Sequence, residues 1–320
     1  MPLVGIALMA ANSQRLEAKR QVEYFELPAR RYIGRCSGGS RMPFEWTINP
    51  YRGCEFGCRY CYARYTHEFM ELRDPLQFEE RIYAKRFQAA EFQKELDSIP
   101  SGETIALGTA TDPYQPAERR FLVTRRMLAV MARRTGHRVW ITTKSDLVAR
   151  DIDLLREMSR GNIVGVNLSI TTLDTALARL LEPRAPRPDL RLEAVEKLSA
   201  AGIRTGVLCC PVLPLLNDSE RNLDAVARAA ALAGARHLGA NVLFLKPCAQ
   251  AVFFPFLEEH FPSLARRYRE RYAGTGFLRG PYVEMVKERV RAVRARYGLD
   301  RKTEEEVPQY FSGGQLALFG

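Results

Sequence analysis

Three cysteines stand within eight positions, in the run Gly53-Cys54-Glu55-Phe56-Gly57-Cys58-Arg59-Tyr60-Cys61. The C-x3-C-x2-C spacing lets one loop present three thiolates, soft ligands suited to an iron–sulfur cluster. Gly53 and Gly57 relieve crowding where the backbone must curve tightly. An electron carrier fills every corner of its cluster with cysteine, whereas three ligands leave one iron open to a substrate. Zinc would want a fourth Cys or His, and His67 is the local candidate. The other cysteines are Cys36, Cys209, Cys210 and Cys248. An odd count with three clustered is no disulfide framework; it points to a reducing compartment and a metal site.

A loop of this kind needs a scaffold to hold it. Short apolar runs at 46–49, 104–107, 138–142, 163–170, 205–209 and 238–245 read as strands. Between them, segments of helical period lie around 89–97, 119–134, 151–158, 191–201 and 221–233. This alternation predicts an α/β fold, a partial (β/α)6 TIM-like barrel with its chemistry at the strands' C-terminal ends. Residues 1–43 read as an irregular N-terminal extension, 44–250 as the core barrel, 251–300 as a helical region rich in arginine and aromatics, and 301–320 as a mobile tail. No stretch approaches the roughly 20 apolar residues of a membrane span, and the start lacks the basic flank of a signal peptide, so the expected location is the cytoplasm.

At this point the residues resemble a known family. The triad, with aromatic Tyr60 before its last cysteine, resembles the signature of the radical S-adenosylmethionine (radical SAM) superfamily. The resemblance implies a 4Fe–4S cluster on Cys54, Cys58 and Cys61. Its open iron would be chelated by the amino and carboxylate groups of S-adenosylmethionine. One-electron cleavage of that cofactor would yield a 5′-deoxyadenosyl radical that abstracts hydrogen from substrate, with a reductant such as flavodoxin or ferredoxin as partner. Further runs extend the likeness: Gly108-Thr109-Ala110-Thr111-Asp112-Pro113, Thr142-Thr143-Lys144-Ser145, Asn167-Leu168-Ser169, Leu181-Glu182-Pro183-Arg184 and Asn217-Asp218. Together, across about 44–246, they are similar to the spore photoproduct lyase-like branch, and more narrowly to a bacterial subfamily of it.

Carried over, the resemblance implies that Tyr60 meets the adenine through its backbone. Thr111 and Asp112 would take the methionyl amino group, and Lys144 and Ser169 the carboxylate or ribose, with Arg184 a further candidate for the carboxylate. Read for themselves, Asp112 could equally cap a turn, Ser169 satisfy a strand edge and Lys144 be a solvated loop lysine. One departure matters. Spore photoproduct lyase carries a hydrogen-returning cysteine near the second strand, and Leu107-Gly108-Thr109-Ala110 has none. Cys209, Cys210 or Cys248 could replace it, or be small buried hydrophobes.

The net charge of +11 fits a polyanionic partner such as nucleic acid, or an Arg-rich solvated surface. Basic pairs at Arg119-Arg120, Arg125-Arg126, Arg133-Arg134 and Arg266-Arg267, with the stretch 287–302, could track phosphates. Tyr114, Tyr268 and Tyr272 could stack on bases. Three functions stay open: a radical SAM enzyme on nucleic acid, an iron–sulfur recruitment protein in DNA metabolism, and a radical SAM enzyme on a peptide or metabolite. Finally, Gln315-Leu316-Ala317-Leu318-Phe319 resembles the pentapeptide by which bacterial DNA polymerases and repair factors dock on the replication sliding clamp. Gln315 would bond at a pocket rim and Leu318 and Phe319 would bury as anchors, tethered through Gly313-Gly314; the same residues could instead fold back on the chain's own surface as a terminal strap.

Overall fold

The computed structural model describes residues 3–19, 21–36 and 43–300. Eleven strands are formed among them: β1 (Gln14–Lys19), β2 (Val22–Leu27), β3 (Ile33–Arg35), β4 (Trp46–Ile48), β5 (Tyr51–Arg52), β6 (Arg81–Lys85), β7 (Thr104–Leu107), β8 (Arg138–Thr143), β9 (Ile163–Ser169), β10 (Arg204–Val212) and β11 (His237–Val242). The main sheet has the order β11-β10-β9-β8-β7-β4-β3. Its strands β4, β7, β8, β9, β10 and β11 run parallel in sequence order, so each connection is one crossover unit. That is the expected α/β partial barrel. Antiparallel β3 extends it beyond β4, and β11 and β3 do not pair to close it.

Strand alternation sorts the two faces. Val139, Ile141, Val164, Val166, Leu168, Val207, Cys209 and Leu238 join one apolar core with the crossover helices, which contribute Phe92, Leu96, Met127, Leu128, Leu155, Val195, Leu198 and Val226. Each such side chain, fully buried, stabilises the fold by about 1.5–3 kcal/mol. The opposite face is the barrel interior. There a Cβ on Gly165 would lie 2.1 Å from the Trp140 ring, and one on Gly206 would lie 2.2 Å from the His237 ring. The two rings meet edge-on with centroids 6.0 Å apart. Bulk on one strand fills the space that glycine leaves on the next, and the N-terminal half of the interior is plugged. Thr142, Asn167, Ser169 and Cys210 continue the same face toward the open C-terminal ends.

Two expectations need correction. The stretch read as irregular, 1–43, contains a helix, Gly5–Ala11, and strands β1 to β3. With β6 and β5, β1 and β2 build a second, mixed sheet in the order β1-β2-β6-β5. These strands are short and charged, and β2 finds its partner β6 more than fifty residues away, for example Tyr24 opposite Ile82. The helix expected over 119–134 is two, Glu118–Phe121 and Val123–Met131, parted by Leu122 at φ 55°. The Glu118 carboxylate is the cause. It accepts hydrogen bonds from Thr124 N (2.9 Å) and Arg125 N (3.1 Å), satisfying the free donors of a new helix start.

Three helices follow β11: Pro247–His260, Pro262–Arg271 and Pro281–Tyr297, each opening with proline at the position where its missing N–H costs nothing. The first two pack Phe253, Phe256, Leu257, Tyr268 and Tyr272 against Phe56 and Tyr60 of the cysteine loop. The third packs Val286, Val290 and Val293 into the main core. Among the described residues no helix is long and apolar enough to cross a membrane.

Candidate functional site

Strand β5 delivers the chain into the cysteine loop at the mouth of the barrel. Cys54 N donates to Phe78 O (2.9 Å), Arg59 N to Leu181 O (2.9 Å) and Cys61 N to Cys58 O (3.2 Å). Gly53 and Gly57 both take left-handed φ, 80° and 62°. A Cβ on Gly57 would lie 2.3 Å from Glu79 Oε2 and 2.9 Å from Arg184 Nη2. The crowding foreseen at this glycine comes from an ion-pair knot beneath the loop. Arg64, fully buried, donates to Cys58 O (3.1 Å), Pro75 O (2.7 Å) and Glu79 Oε2 (3.2 Å). Arg184 reaches the same Glu79 oxygen at 3.3 Å.

The other side of the loop is clamped by the segment after β7. Gln115, with no exposed surface, accepts from Glu55 N (3.0 Å) and donates to Gly53 O (3.0 Å) and Thr111 Oγ1 (3.0 Å). Thr111 Oγ1 donates to Gly53 O (2.5 Å). Asp112 ties β7 to the end of β8: Oδ1 accepts from Thr143 Oγ1 (2.6 Å) and Tyr114 N (2.9 Å), and Oδ2 from Lys144 N (2.7 Å). Burial pushes its carboxyl above the ordinary range despite these bonds. Asn49 fixes the same loop, accepting from Ala110 N (2.8 Å) and donating to Thr109 Oγ1 (3.1 Å).

Behind Tyr60 lies a charged group that the sequence reading overlooked. Glu182 is buried, accepts the Tyr60 hydroxyl and pairs with Arg191 Nη2 at 2.5 Å. Arg191, also buried, donates to Pro186 O (2.8 Å) and to Ser169 O (2.9 Å) at the end of β9. Burial alone would raise the Glu182 carboxyl; Arg191 and Lys144 hold it below its ordinary value. Burial works against the Lys144 ammonium, but the charges of the Cys58 thiolate, then Glu182 and Asp112, more than offset it and its pKa is raised. Its Nζ sits 5.7 Å from the centre of the Tyr60 ring. Lys144, Ser169, Asp112 and the cysteine loop therefore share one mouth. Arg184 belongs to the knot under the loop.

The remaining candidates separate. Cys209 is fully buried on the helix-facing side, its Sγ 3.5 Å from Thr171 O. Cys210, next in the strand, is half-buried on the interior face, and Cys248 is half-buried near Cys61. His67 is buried against Phe78 and Tyr83 with Nε2 3.0 Å from Arg81 O. Its ring is committed to that packing, and burial lowers its pKa to about 4. Tyr114, Tyr268 and Tyr272, read as stacking residues, are at most 1% exposed and belong to the interior. One arginine of each basic pair is tied to a carboxylate: Arg120 to Glu17, Arg125 to Asp151 and Asp153, Arg134 to Asp97, Arg266 to Glu270. Gln315, Leu316, Leu318 and Phe319 lie outside the described residues.

Among the described residues, no three His, Cys, Asp or Glu side chains converge on a point where a single metal ion could sit. A cubane binds each thiolate at a different iron and needs them further apart. Cys54, Cys58 and Cys61 are free and near enough to perturb one another's ionisation, and the loop is packed in apolar residues. The donor set and its surroundings fit a cubane with one open corner.

Comparison with known proteins gives the same scaffold. Residues 48–225 match the family model described as Radical SAM superfamily. An uncharacterised protein of Mycobacterium tuberculosis is 35% identical over 280 residues, 87% of this chain and 82% of that protein. One from Methanocaldococcus jannaschii is 27% identical over 210 residues, 64% of this chain and 70% of that protein. Spore photoproduct lyase, solved in complex with dinucleoside spore photoproduct, has the same fold, with TM-score 0.65 and 17% identity over 86% of this chain and 79% of that one. With a parallel half-barrel, three cysteines on the loop after its first strand and a family match over most of that core, the chain belongs to the radical SAM superfamily.

Proposed function

We propose that the protein holds a 4Fe–4S cluster on Cys54, Cys58 and Cys61, binds S-adenosylmethionine at the open iron, and abstracts hydrogen from a nucleic-acid substrate. The observation that carries the reading is the meeting of the cysteine loop with Lys144 and Ser169 at one mouth of the half-barrel. When bound, cluster and cofactor supply the one-electron cleavage that starts hydrogen abstraction. The chain's own residues bind and shield. Lys144 offers a fixed positive charge to the cofactor carboxylate, and Ser169 a hydroxyl to carboxylate or ribose. Thr111 and Asp112 already spend side-chain bonds on the fold, so their share in holding the amino group falls to backbone carbonyls and to the second lone pair of Asp112 Oδ2. Tyr60 offers its backbone to the adenine while its hydroxyl is held by Glu182. Phe56, Phe253 and Phe256 keep water from the loop.

The nucleic-acid substrate is supported by the charge of +11 and by the lyase neighbour, solved with a dinucleoside. A flavodoxin- or ferredoxin-type reductant would deliver the electron. The test is anaerobic reconstitution, reduction and incubation with S-adenosylmethionine and isotopically labelled DNA. Label appearing in 5′-deoxyadenosine is the expected result. Cofactor cleavage with label entering only from a peptide or metabolite would move the reading to those substrates. No cleavage by a fully loaded cluster would leave a recruitment protein.

A further inference from the structure

The rings that sequence pattern offered for base stacking are buried, and a different set is exposed. Tyr62, directly after Cys61, is 42% exposed, Phe69 59% and Phe277 57%. They join through contacts across the outer rim of the cysteine loop. Phe244, two residues past β11, stacks face to face on Phe277, centroids 4.0 Å apart and planes at 13°. The Tyr62 ring lies tilted against Phe244, centroids 6.2 Å apart. Lys246 Nζ sits 3.5 Å from the centre of the Tyr65 ring and 5.9 Å from that of Phe244, and Tyr65 meets Phe69 edge-on at 5.7 Å. Five rings and one ammonium therefore form a continuous strip beside Cys61, the half-exposed cysteine of the triad.

This strip is built, not incidental. Leu245 N donates to Gly276 O (2.9 Å), locking the Phe277 loop to the end of the barrel. A Cβ on Gly276 would lie 2.9 Å from the Phe244 ring, so glycine is what lets the two phenylalanines stack. Thr275 Oγ1 accepts from Phe277 N (3.1 Å), and the Tyr62 hydroxyl is held by Thr109 O. A monomer gains nothing by holding aromatic faces out to water, and a patch of this kind marks an interaction site. Among the described residues Lys246 makes no ion pair, so its charge is available to an anion; Arg279, two residues past Phe277, is also exposed. A stack open at its outer ring, with a cation beside it, fits an unpaired base with its phosphate.

We propose that Phe277, Phe244, Tyr62 and Lys246 form a stacking platform for unpaired nucleotides of a single strand, delivering the neighbouring residue to the barrel mouth. This rests on the nucleic-acid reading above. The experiment measures binding of a fluorescent single-stranded oligothymidylate to the reconstituted full chain by anisotropy, alongside an abasic oligomer of equal length and charge. Phe277→Ala and Phe244→Ala should each weaken binding by about 5- to 150-fold, the span for one lost stacking partner. The abasic oligomer should bind wild type as weakly as the variants bind the oligothymidylate. Cofactor cleavage without substrate should be unchanged in both variants. Equal binding by wild type and variants would overturn the platform and leave the nucleic-acid reading standing. No binding by wild type would remove both. Variants that keep oligonucleotide affinity but lose reduction by an acidic flavodoxin would make the strip a reductant dock, and so overturn the proposal.

Discussion

Glu182 is the residue whose importance was hardest to see from sequence. It stood in the run Leu181-Glu182-Pro183-Arg184, yet the positive charge of Arg184 drew attention as a carboxylate partner. Arg184 in fact pairs with Glu79, while Glu182 joins Tyr60 to Arg191 and thence to Ser169 O. Nothing in residue type distinguishes a buried Glu–Arg pair nine positions apart from two surface charges, since burial is decided by packing. The triad Cys54, Cys58 and Cys61 stood out by type and spacing, and Lys144 and Ser169 by the family resemblance; the structure brings all five to one mouth. Glu182→Gln should keep an acceptor for Tyr60 but leave Arg191 buried without a counter-charge. The expected loss is about 3–5 kcal/mol in urea unfolding, with weaker S-adenosylmethionine binding. Pairing it with Arg191→Met should restore much of the stability and not the binding. A single-variant loss under about 1 kcal/mol would mean the pair is not a desolvated one. His67 gives a pH test. Its folded pKa is lowered to about 4 by burial, against about 6.5 for a free imidazole, so the unfolded chain binds the extra proton between them. Stability should be fully present above about pH 6.5 and fall by about 3 kcal/mol as pH drops toward 4. His67→Gln should flatten this acid-side slope relative to wild type; an unchanged slope would show that His67 titrates normally.

At the scale of elements, the six parallel strands were readable because each is an apolar run bounded by glycine or polar residues and long enough to keep its pattern. Strands β1, β2, β5 and β6 were not. Val22–Leu27 carries Glu23 and Glu26 three apart and so breaks the alternation of a half-buried strand, and Tyr51–Arg52 is two residues long; their pairing is set by partners distant in sequence. The second sheet nonetheless matters to the site, because β5 runs directly into the cysteine loop. The loop's shape then depends on what lies under it. Gly57→Ala must place a Cβ at φ 62° and 2.3 Å from Glu79 Oε2, an oxygen that buried Arg64 holds in place. Left-handed φ alone costs about 1–2 kcal/mol. Gly102→Ala, at φ 87° with nothing within 4 Å, carries backbone strain without the collision. Iron and sulfide per chain after reconstitution should fall sharply in Gly57→Ala and stay near wild type in Gly102→Ala, while both lower the melting temperature. Equal iron retention in the two variants would show that the Glu79–Arg64 knot does not shape the loop.

Basic residues are scattered along the whole chain, whereas the cysteine loop, Lys144 and Ser169 meet at one mouth. Arginines tied to Asp97, Asp151, Asp153, Asp224 and Glu270 show that much of the basic surface is spent internally, so diffuse attraction gives nucleic-acid affinity no precise address. Recruitment by a separate docking motif would supply one. The described body ends in order: the Pro281–Tyr297 helix closes on Gly298, Leu299 is buried, and Leu299 O and Asp300 bond to the His237–Leu238 edge of β11. The segment Gln315-Leu316-Ala317-Leu318-Phe319 lies outside the described residues, and we propose it as that motif; removing it tests recruitment apart from folding. A peptide of residues 310–320 should bind a bacterial sliding clamp, and Leu318→Ala with Phe319→Ala should abolish that binding, because the two anchors supply the buried apolar area. The chain lacking residues 315–320 should melt at the wild-type temperature, cleave S-adenosylmethionine at the wild-type rate and lose clamp binding in the same titration. A peptide that shows no binding at high micromolar concentration, or a truncated chain that still binds the clamp, would remove the tail as the address and leave the exposed rings beside Cys61 as the route by which a strand is found.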